Sequence, residues 1–343
     1  MKNLSEIIEQ TRAKAFVIYR NPHENPFHLI TIDPKHIRKT EKIEEAGYYL
    51  APFDLKKHTV ILFPETKTEH HIIDQPAWVN PNNRLIFNKP NPQQHIRKVN
   101  KAIDIIRNGE IQKIVISSAF TAKILQFDPW NTYFKIASAY LGSYVYYWHW
   151  PGHFSMLGAT PEVLLQYQGN QGLVYSLAGT KFVEEKRQWT AKEIEEQDLV
   201  TQFIKNKLLA WQYPFSIDGP YEIRQGHLIH LRTDFQFLFN PDRKTLSKII
   251  KGLHPTPAVA GLPKTKAIRH IREIEGYDRA FYTGFTGHLS PVNGKLFVNL
   301  RNMKISENRL QLYAGGGITK DSQPEQEWRE VVRKTDILKQ NLI

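Results

Sequence analysis

A chain of 343 residues without a single cysteine cannot use disulfides, thiolate nucleophiles or cysteine-ligated zinc and iron–sulfur centres. Its 46 basic and 34 acidic side chains leave a net charge of +12, spread along the chain without a basic block, which suits a small anionic substrate as well as a polyanion. A hydrophobic content of 41% supports a large core, and no apolar run reaches the ~18 residues of a membrane helix, so a cytoplasmic protein is expected.

The opening MKNLSEIIEQTRAKAF has amphipathic helical spacing and lacks the apolar stretch of a signal peptide. FVIYR, HLITID and HTVILF read as strands, followed by the proline-rich NKPNPQQ. Ile96, Val99, Ile103 and Ile106 then mark a helix over about 94–108. KIVISSAFTAKIL predicts a strand, residues 129–141 a helix, and YVYYWHW an aromatic strand. EVLLQYQGNQGLVYSLAGT reads as two strands joined through a Gly/Asn turn. A long helix over 190–210 leads to IRQGHLIHLRTDFQFLF, one long strand or a pair. Short helices are expected at 245–253 and 264–275, and then DRAFYTGFTGHLS, KLFVNLRNMKI and RLQLYAGG form hairpins around VNG and SENR. Strands grouped in hairpins with helices between the groups predict an α+β fold with antiparallel sheets. With no repeat or linker, a single domain over 1–343 is expected.

Some residues stand out against this pattern. At about 100° per residue, Glu196 falls on the apolar stripe of its helix beside Leu199, Val200 and Phe203. Either the helix rotates to release the acid near its first turn, or Glu193 and Glu196 face a buried cation. The last helix carries a Ser322/Glu325 capping-box pattern and a core stripe of Trp328, Val331, Val332 and Thr335. Glu330 and Lys334 lie nearly opposite Trp328, and alone they read as a solvated salt bridge worth ~0.3–0.5 kcal/mol. Gly315, Gly316 and Gly317 precede that helix, as a permissive turn or an anion cradle. His227 and His230, three apart in a strand, point to opposite faces and are not expected to share a ligand.

Taken together, QKIVIS (112–117), GATPEVLL (158–165), LAGTK (177–181), KEIEEQDLV (192–200), HLRT (230–233), LHPTPAVAGLPK (253–264), EGYDRAFYTGFTG (275–287), the Leu300-Arg301 pair and the closing segment resemble the chorismate-utilising enzymes, most closely the isochorismate synthases. The likeness covers about 95–340 and leaves the first 94 residues divergent. It implies one α+β domain of two packed, mainly antiparallel sheets with outer helices, as in the anthranilate and aminodeoxychorismate synthases. It also implies Mg²⁺ held by Glu196 and Glu330 with Glu193 and Glu327 in support. Gly179, Thr180, His230, Tyr282, Arg301, Gly315, Gly316, Gly317 and Lys334 would bind the substrate chorismate. Lys113 would be the base that activates water, and Glu162 the acid that releases the C4 hydroxyl. Members that add ammonia carry another residue, typically Gln, at the place of Lys113.

Three departures from the family pattern are Ser118, where Arg is common, Gln197 in place of His and Ser176 in place of Pro. The resemblance implies isochorismate for menaquinone or siderophore synthesis. The nearest rival is salicylate synthase, with anthranilate or aminodeoxychorismate synthesis further off. A monomer without nucleic-acid or membrane partner is expected.

Overall fold

The run Ala15–Arg20 is buried at every position, which a two-layer sheet against solvent would not require. Its alternate residues go to different cores. Phe16 and Ile18 pack with helical residues such as Tyr133 and Phe134, while Ala15, Val17 and Tyr19 pack with Tyr48, Leu50 and Phe63 of a second sheet. A strand covered on both faces reads as a continuous apolar run rather than an alternating one. The same logic accounts for YVYYWHW, in which Trp148 is fully buried.

This computed structural model describes residues 4–225 and 228–342. Its strands form a ten-stranded and a nine-stranded sheet, antiparallel throughout. Seven helices are found among the described residues: α1 (Leu4–Thr11), α2 (Pro92–Arg107), α3 (Pro129–Ala139), α4 (Ala191–Ala210), α5 (Arg243–Leu253), α6 (Lys264–Glu275) and α7 (Pro324–Lys339). The sheets meet across an aromatic core, α4 and α5 cover the nine-stranded sheet, and α1, α3 and α7 cover the ten-stranded one. The expected α+β sandwich with outer helices is what the chain forms. Its first ninety residues are part of that sandwich, because Ala15–Arg20, Phe27–Ile32 and Thr68–Ile73 join one sheet and Gly47–Ala51 and Val60–Pro64 the other.

Three local expectations are corrected. KLFVNLRNMKI is not one strand: Asn293–Val298 lies in the nine-stranded sheet and Asn302–Ser306 in the ten-stranded one, with Arg301 at φ 45° at the crossing. The three glycines are not a turn, since Arg309–Ile318 continues through them, paired residue for residue with Lys113–Gln126. The Ser322/Glu325 capping box does not form. Gln323 is the N-cap without a side-chain bond, and the Ser322 hydroxyl instead accepts the Thr319 N–H at 3.2 Å. Pro324 at the first helical position supplies the start signal that the box was expected to supply. A capping box is present at α4, where Thr190 and Glu193 satisfy each other's amides.

Candidate active site

A cleft of about 810 Å³, counting its open mouth, lies where the two sheets diverge. The ten-stranded sheet supplies Val115, Tyr313, Ala314, Gly315 and Gly317, and the nine-stranded sheet supplies Leu177–Thr180 and His230. The Pro161-Glu162 corner, the crossing segment Leu300-Arg301, α4 and α7 close the remaining sides.

Gly315 and Gly317 face this cleft for a reason that lies in the ladder. Val115 donates its N–H to Ala260, and Ser117 donates to the Glu275 carboxylate, so both turn away from their register partners Gly317 and Gly315. In an antiparallel pair such residues are mutually non-bonded, and the two glycines therefore point their own amides to the opposite edge. Strand Asn302–Ser306 covers that edge only as far as Leu312. Beyond it the backbone is open to the cleft, and the Lys334 ammonium donates to Gly315 O at 3.2 Å.

The absence of side chains also makes room for carboxylates. A Cβ on Gly317 would stand 2.1 Å from Glu196 Oε1, and one on Gly316 would stand 3.2 Å from Glu327 Oε2. Both acids thus lean against the glycine strand, Glu196 from α4 and Glu327 from α7. The solvated-face reading of α7 does not hold: Glu327 is buried, and Glu330 and Lys334 are only about a quarter exposed.

Each of the four acids has a basic partner. Glu193 takes two bonds from Arg187, at 2.6 and 2.8 Å, and caps Thr190, so it faces away from the cleft. Glu196 lies 3.0 Å from the fully buried Lys113. Burial raises the Glu196 pKa, but Lys113, Lys192 and Lys334 outweigh it and hold it at about 2. Glu327 pairs with Lys192 at 2.5 Å, and Glu330 with Lys334 at 2.6 Å. Burial pushes Glu327 up to about 7, opposed by Lys192 and reinforced by Glu330.

The donor set Glu196, Glu327 and Glu330 is all carboxylate oxygen, the chemistry of a hard divalent cation. Glu327 Oε2 is buried without a hydrogen-bond partner, an oxygen still open to a cation. The residues therefore fit an ion such as Mg²⁺. Among the described residues, no three His, Asp or Glu side chains already stand close enough to enclose one.

Glu162 follows Pro161 at the corner between two strands and is 4% exposed. Burial pushes its carboxyl up to about 8 against the lowering influence of Lys113, Thr256 and Arg301. Burial thus favours its protonated form, in the field of the Lys113 charge.

His230 and Arg301 form the third group. Arg301 Nη2 lies 3.1 Å from His230 Nε2, and a guanidinium only donates, so Nε2 accepts and the ring proton sits on Nδ1. Nδ1 then donates toward Gly179 O or Thr180 Oγ1, at 3.2 and 3.1 Å. Burial, with Arg301 and Lys334 adding to it, lowers His230 to about 3 and keeps it neutral. Arg301 Nη1 is buried without a partner, a donor awaiting an anion. Gly179 sits at φ 66° in a bulge of the strand Gln171–Phe182, which aims its carbonyl at His230. Tyr282 stacks on Tyr313 with centroids 5.0 Å apart and closes the wall beside Gly315.

Of the residues singled out in the sequence, Glu162, Gly179, Thr180, Glu196, His230, Tyr282, Arg301, Gly315, Gly317, Glu330 and Lys334 line the cleft; Lys113, Gly316 and Glu327 stand behind it, and Glu193 is turned away. His227 lies outside the described residues. Sequence reasoning missed Tyr313, Thr256 and Lys192. Tyr313 shares the period-2 face of Gly315 and Gly317, a signal that was available once that stretch was read as a strand. Lys192 is four residues before Glu196 on the same helix face.

Gln197 and Ser176, the departures noted above, bond each other at 2.9 Å while Gln197 Oε1 accepts the Ala178 N–H at 2.8 Å. Ser118 bonds His95 at 2.8 Å. Glu275 and Arg279 form a buried pair at 2.6 Å that also ties down Ser117, Val115 and Val259, so they brace the site from behind.

The family model for chorismate binding enzymes matches residues 56–343. Isochorismate synthase MenF of Haemophilus influenzae is 32% identical over 69% of this chain and 57% of its own length. The vibriobactin-specific isochorismate synthase of Vibrio cholerae is 25% identical over 90% of this chain and 83% of its own. The chain spans little more than half the length of several of these relatives, including the salicylate biosynthesis isochorismate synthase of Pseudomonas aeruginosa, at 54%. Among solved structures, a Bacillus anthracis chain described as DhbC, a 2,3-dihydroxybenzoate-specific isochorismate synthase, has a TM-score of 0.84 at 24% identity, covering 98% of this chain and 99% of its own. Anthranilate synthase component I of Streptococcus pneumoniae reaches 0.72 at 20% identity, over 94% and 89%. At these identities the two structures show the shared fold.

Proposed function

The chain belongs to the chorismate-binding enzymes, and on that premise we propose that it is an isochorismate synthase, adding water at C2 of chorismate with loss of the C4 hydroxyl. The observation that carries this reading is a buried Glu162 in the cleft wall, with a pKa of about 8, in the field of a fully buried Lys113 that stands just behind the cleft against Glu196. Water is a poor nucleophile and hydroxide a poor leaving group, so the reaction needs a base on one side and an acid on the other. Glu162 holds the proton that the departing hydroxyl requires at neutral pH. Lys113, once its ammonium has lost the proton it holds against Glu196, takes the proton of the attacking water.

The substrate is a dianion, and the cleft offers matching groups: the unpartnered Arg301 Nη1, the Lys334 ammonium and the open-edge amides of Gly315 and Gly317. Each charge-assisted bond of this kind contributes about 1.5–3 kcal/mol when formed in a buried site. His230, held neutral, orients Arg301 rather than adding charge. Thr180, with Gly179, fixes His230 in turn.

Mg²⁺ bound at Glu196 and Glu330, with Glu327 in support, would neutralise a substrate carboxylate and fix its position. Glu193 serves Arg187 and the α4 cap, so its part in holding the ion is indirect, through the placement of α4. Glu196 cannot satisfy Lys113 and a divalent ion equally, so engaging the ion loosens its hold on the lysine. The cytoplasmic assignment is part of the same proposal; among the described residues, no helix is long and apolar enough to cross a membrane.

Incubation of the protein with chorismate and Mg²⁺, resolved by liquid chromatography, tests the reading. A product of unchanged mass and altered retention supports it. Salicylate with equimolar pyruvate would replace it with a synthase that also eliminates the side chain, and a product that depends on ammonia would contradict the role given to Lys113.

A further inference from the structure

Lys192 takes no part in the chemistry proposed above. It leaves the first turn of α4, where the helix dipole disfavours a cation. Its Nζ nevertheless lies 2.5 Å from Glu327 Oε1, and its charge acts also on Glu196, one turn further along α4, and on Glu330. Glu327 and Glu330 are three apart on α7, and the other oxygen of Glu327 is buried and unpartnered. Acids crowded in this way at a partly buried site need positive charge close by. Lys192 reaches it on a flexible four-carbon stem whose side chain is still 22% exposed, so it can leave without unpacking either helix.

We propose that Lys192 is the exchangeable cation of this acidic site: its ammonium pairs with Glu327 and adds to the field of Lys113 and Lys334 on Glu196 and Glu330 until a divalent ion enters, and entry is an exchange in which Lys192 swings toward solvent. The inference rests on the reading of these acids as the Mg²⁺ site. It makes Lys192 a competitor of the metal rather than a ligand or a catalytic residue. A residue that merely braced the helices would weaken metal binding when removed, whereas a competitor tightens it.

The test is a Mn²⁺ titration of the full chain without chorismate, followed by electron paramagnetic resonance, for wild type, Lys192→Gln and Lys192→Arg. Lys192→Gln should bind Mn²⁺ at least fivefold more tightly, and Lys192→Arg no more tightly than wild type. The ion-free Lys192→Gln protein should have a lower Tm and gain more from Mn²⁺ than wild type does. Equal or weaker binding by Lys192→Gln would overturn the exchange while leaving the proposed function in place. No Mn²⁺ binding by wild type would overturn the exchange together with the reading of these acids as a metal site. Acylation of wild-type amines, read by mass spectrometry, tests the same idea without a variant. Lys192 should label faster with Mn²⁺ bound, and unchanged or slower labelling would contradict the exchange.

Discussion

Glu162→Gln keeps the shape of a side chain that is 4% exposed and removes its ability to ionise. Burial raises the Glu162 pKa from 4.5 to about 8. Below pH 4.5 the folded protein and the unfolded chain both hold the proton, and the stabilising effect of the raised pKa is fully present. Between 4.5 and about 8 the unfolded chain has released a proton that the folded protein keeps, so rising pH erodes stability until the folded carboxyl also ionises. A gap of this width corresponds to up to about 5 kcal/mol, at about 1.4 kcal/mol per unit. The variant carries no such dependence. Its stability relative to wild type should therefore climb by as much as ~5 kcal/mol across that window and stay level above it.

Urea unfolding followed by tryptophan fluorescence, at intervals from about pH 5 to 9, reads this directly. Turnover should move the other way. Loss of a general acid costs about 10²–10⁴-fold in kcat, and wild-type kcat/KM, which reports the free enzyme, should fall about tenfold per unit above pH 8. A stability difference that is the same at every pH would mean that Glu162 titrates where an ordinary glutamate does. Its assignment as the proton donor would then fail.

Three other perturbations probe the walls of the cleft. Gly317→Ala places a methyl group 2.1 Å from Glu196 Oε1, and it should cost about 1–3 kcal/mol in urea unfolding along with most of the activity. Arg301→Met leaves the substrate without a buried guanidinium and should raise KM roughly 10–100-fold, with a smaller change in kcat, as measured by steady-state kinetics. Arg279→Leu strands the buried Glu275 carboxylate and should lower unfolding stability by about 3–5 kcal/mol. Similar urea midpoints for wild type and Arg279→Leu would remove that pair from the account of how the site is braced.

Most of the element order was legible because it rests on periodicity. The helical spacing of Ile96, Val99 and Ile103 and the apolar runs of the buried strands leave little choice of element. Glu196 was conspicuous because an acid on an apolar stripe violates the pattern. The α7 acids were not, because Glu330 and Lys334 make an ordinary i,i+4 pair, and only the neighbouring strand turns that face inward. The three glycines were misread because glycine signals a turn in local grammar. Here it marks a strand against which carboxylates press, and no local signal distinguishes the two. The sheet crossing at Arg301 was equally hidden: the residues on both sides are good strand formers, and the break is set by which sheet has room for them. Lys192 carries no signal of its own, because a lysine four residues before a glutamate is an ordinary helical pair and only α7 brings Glu327 to it.

The central claim is that water replaces the C4 hydroxyl through Lys113 and Glu162. Mass spectrometry of chorismate incubated with the protein and Mg²⁺ in ¹⁸O-labelled water tests it most directly. The account predicts a product with the chorismate skeleton carrying one heavy oxygen, formed by wild type and not by Lys113→Gln. Chorismate recovered unlabelled and unchanged from wild type, or a labelled product formed equally well by Lys113→Gln, would contradict it.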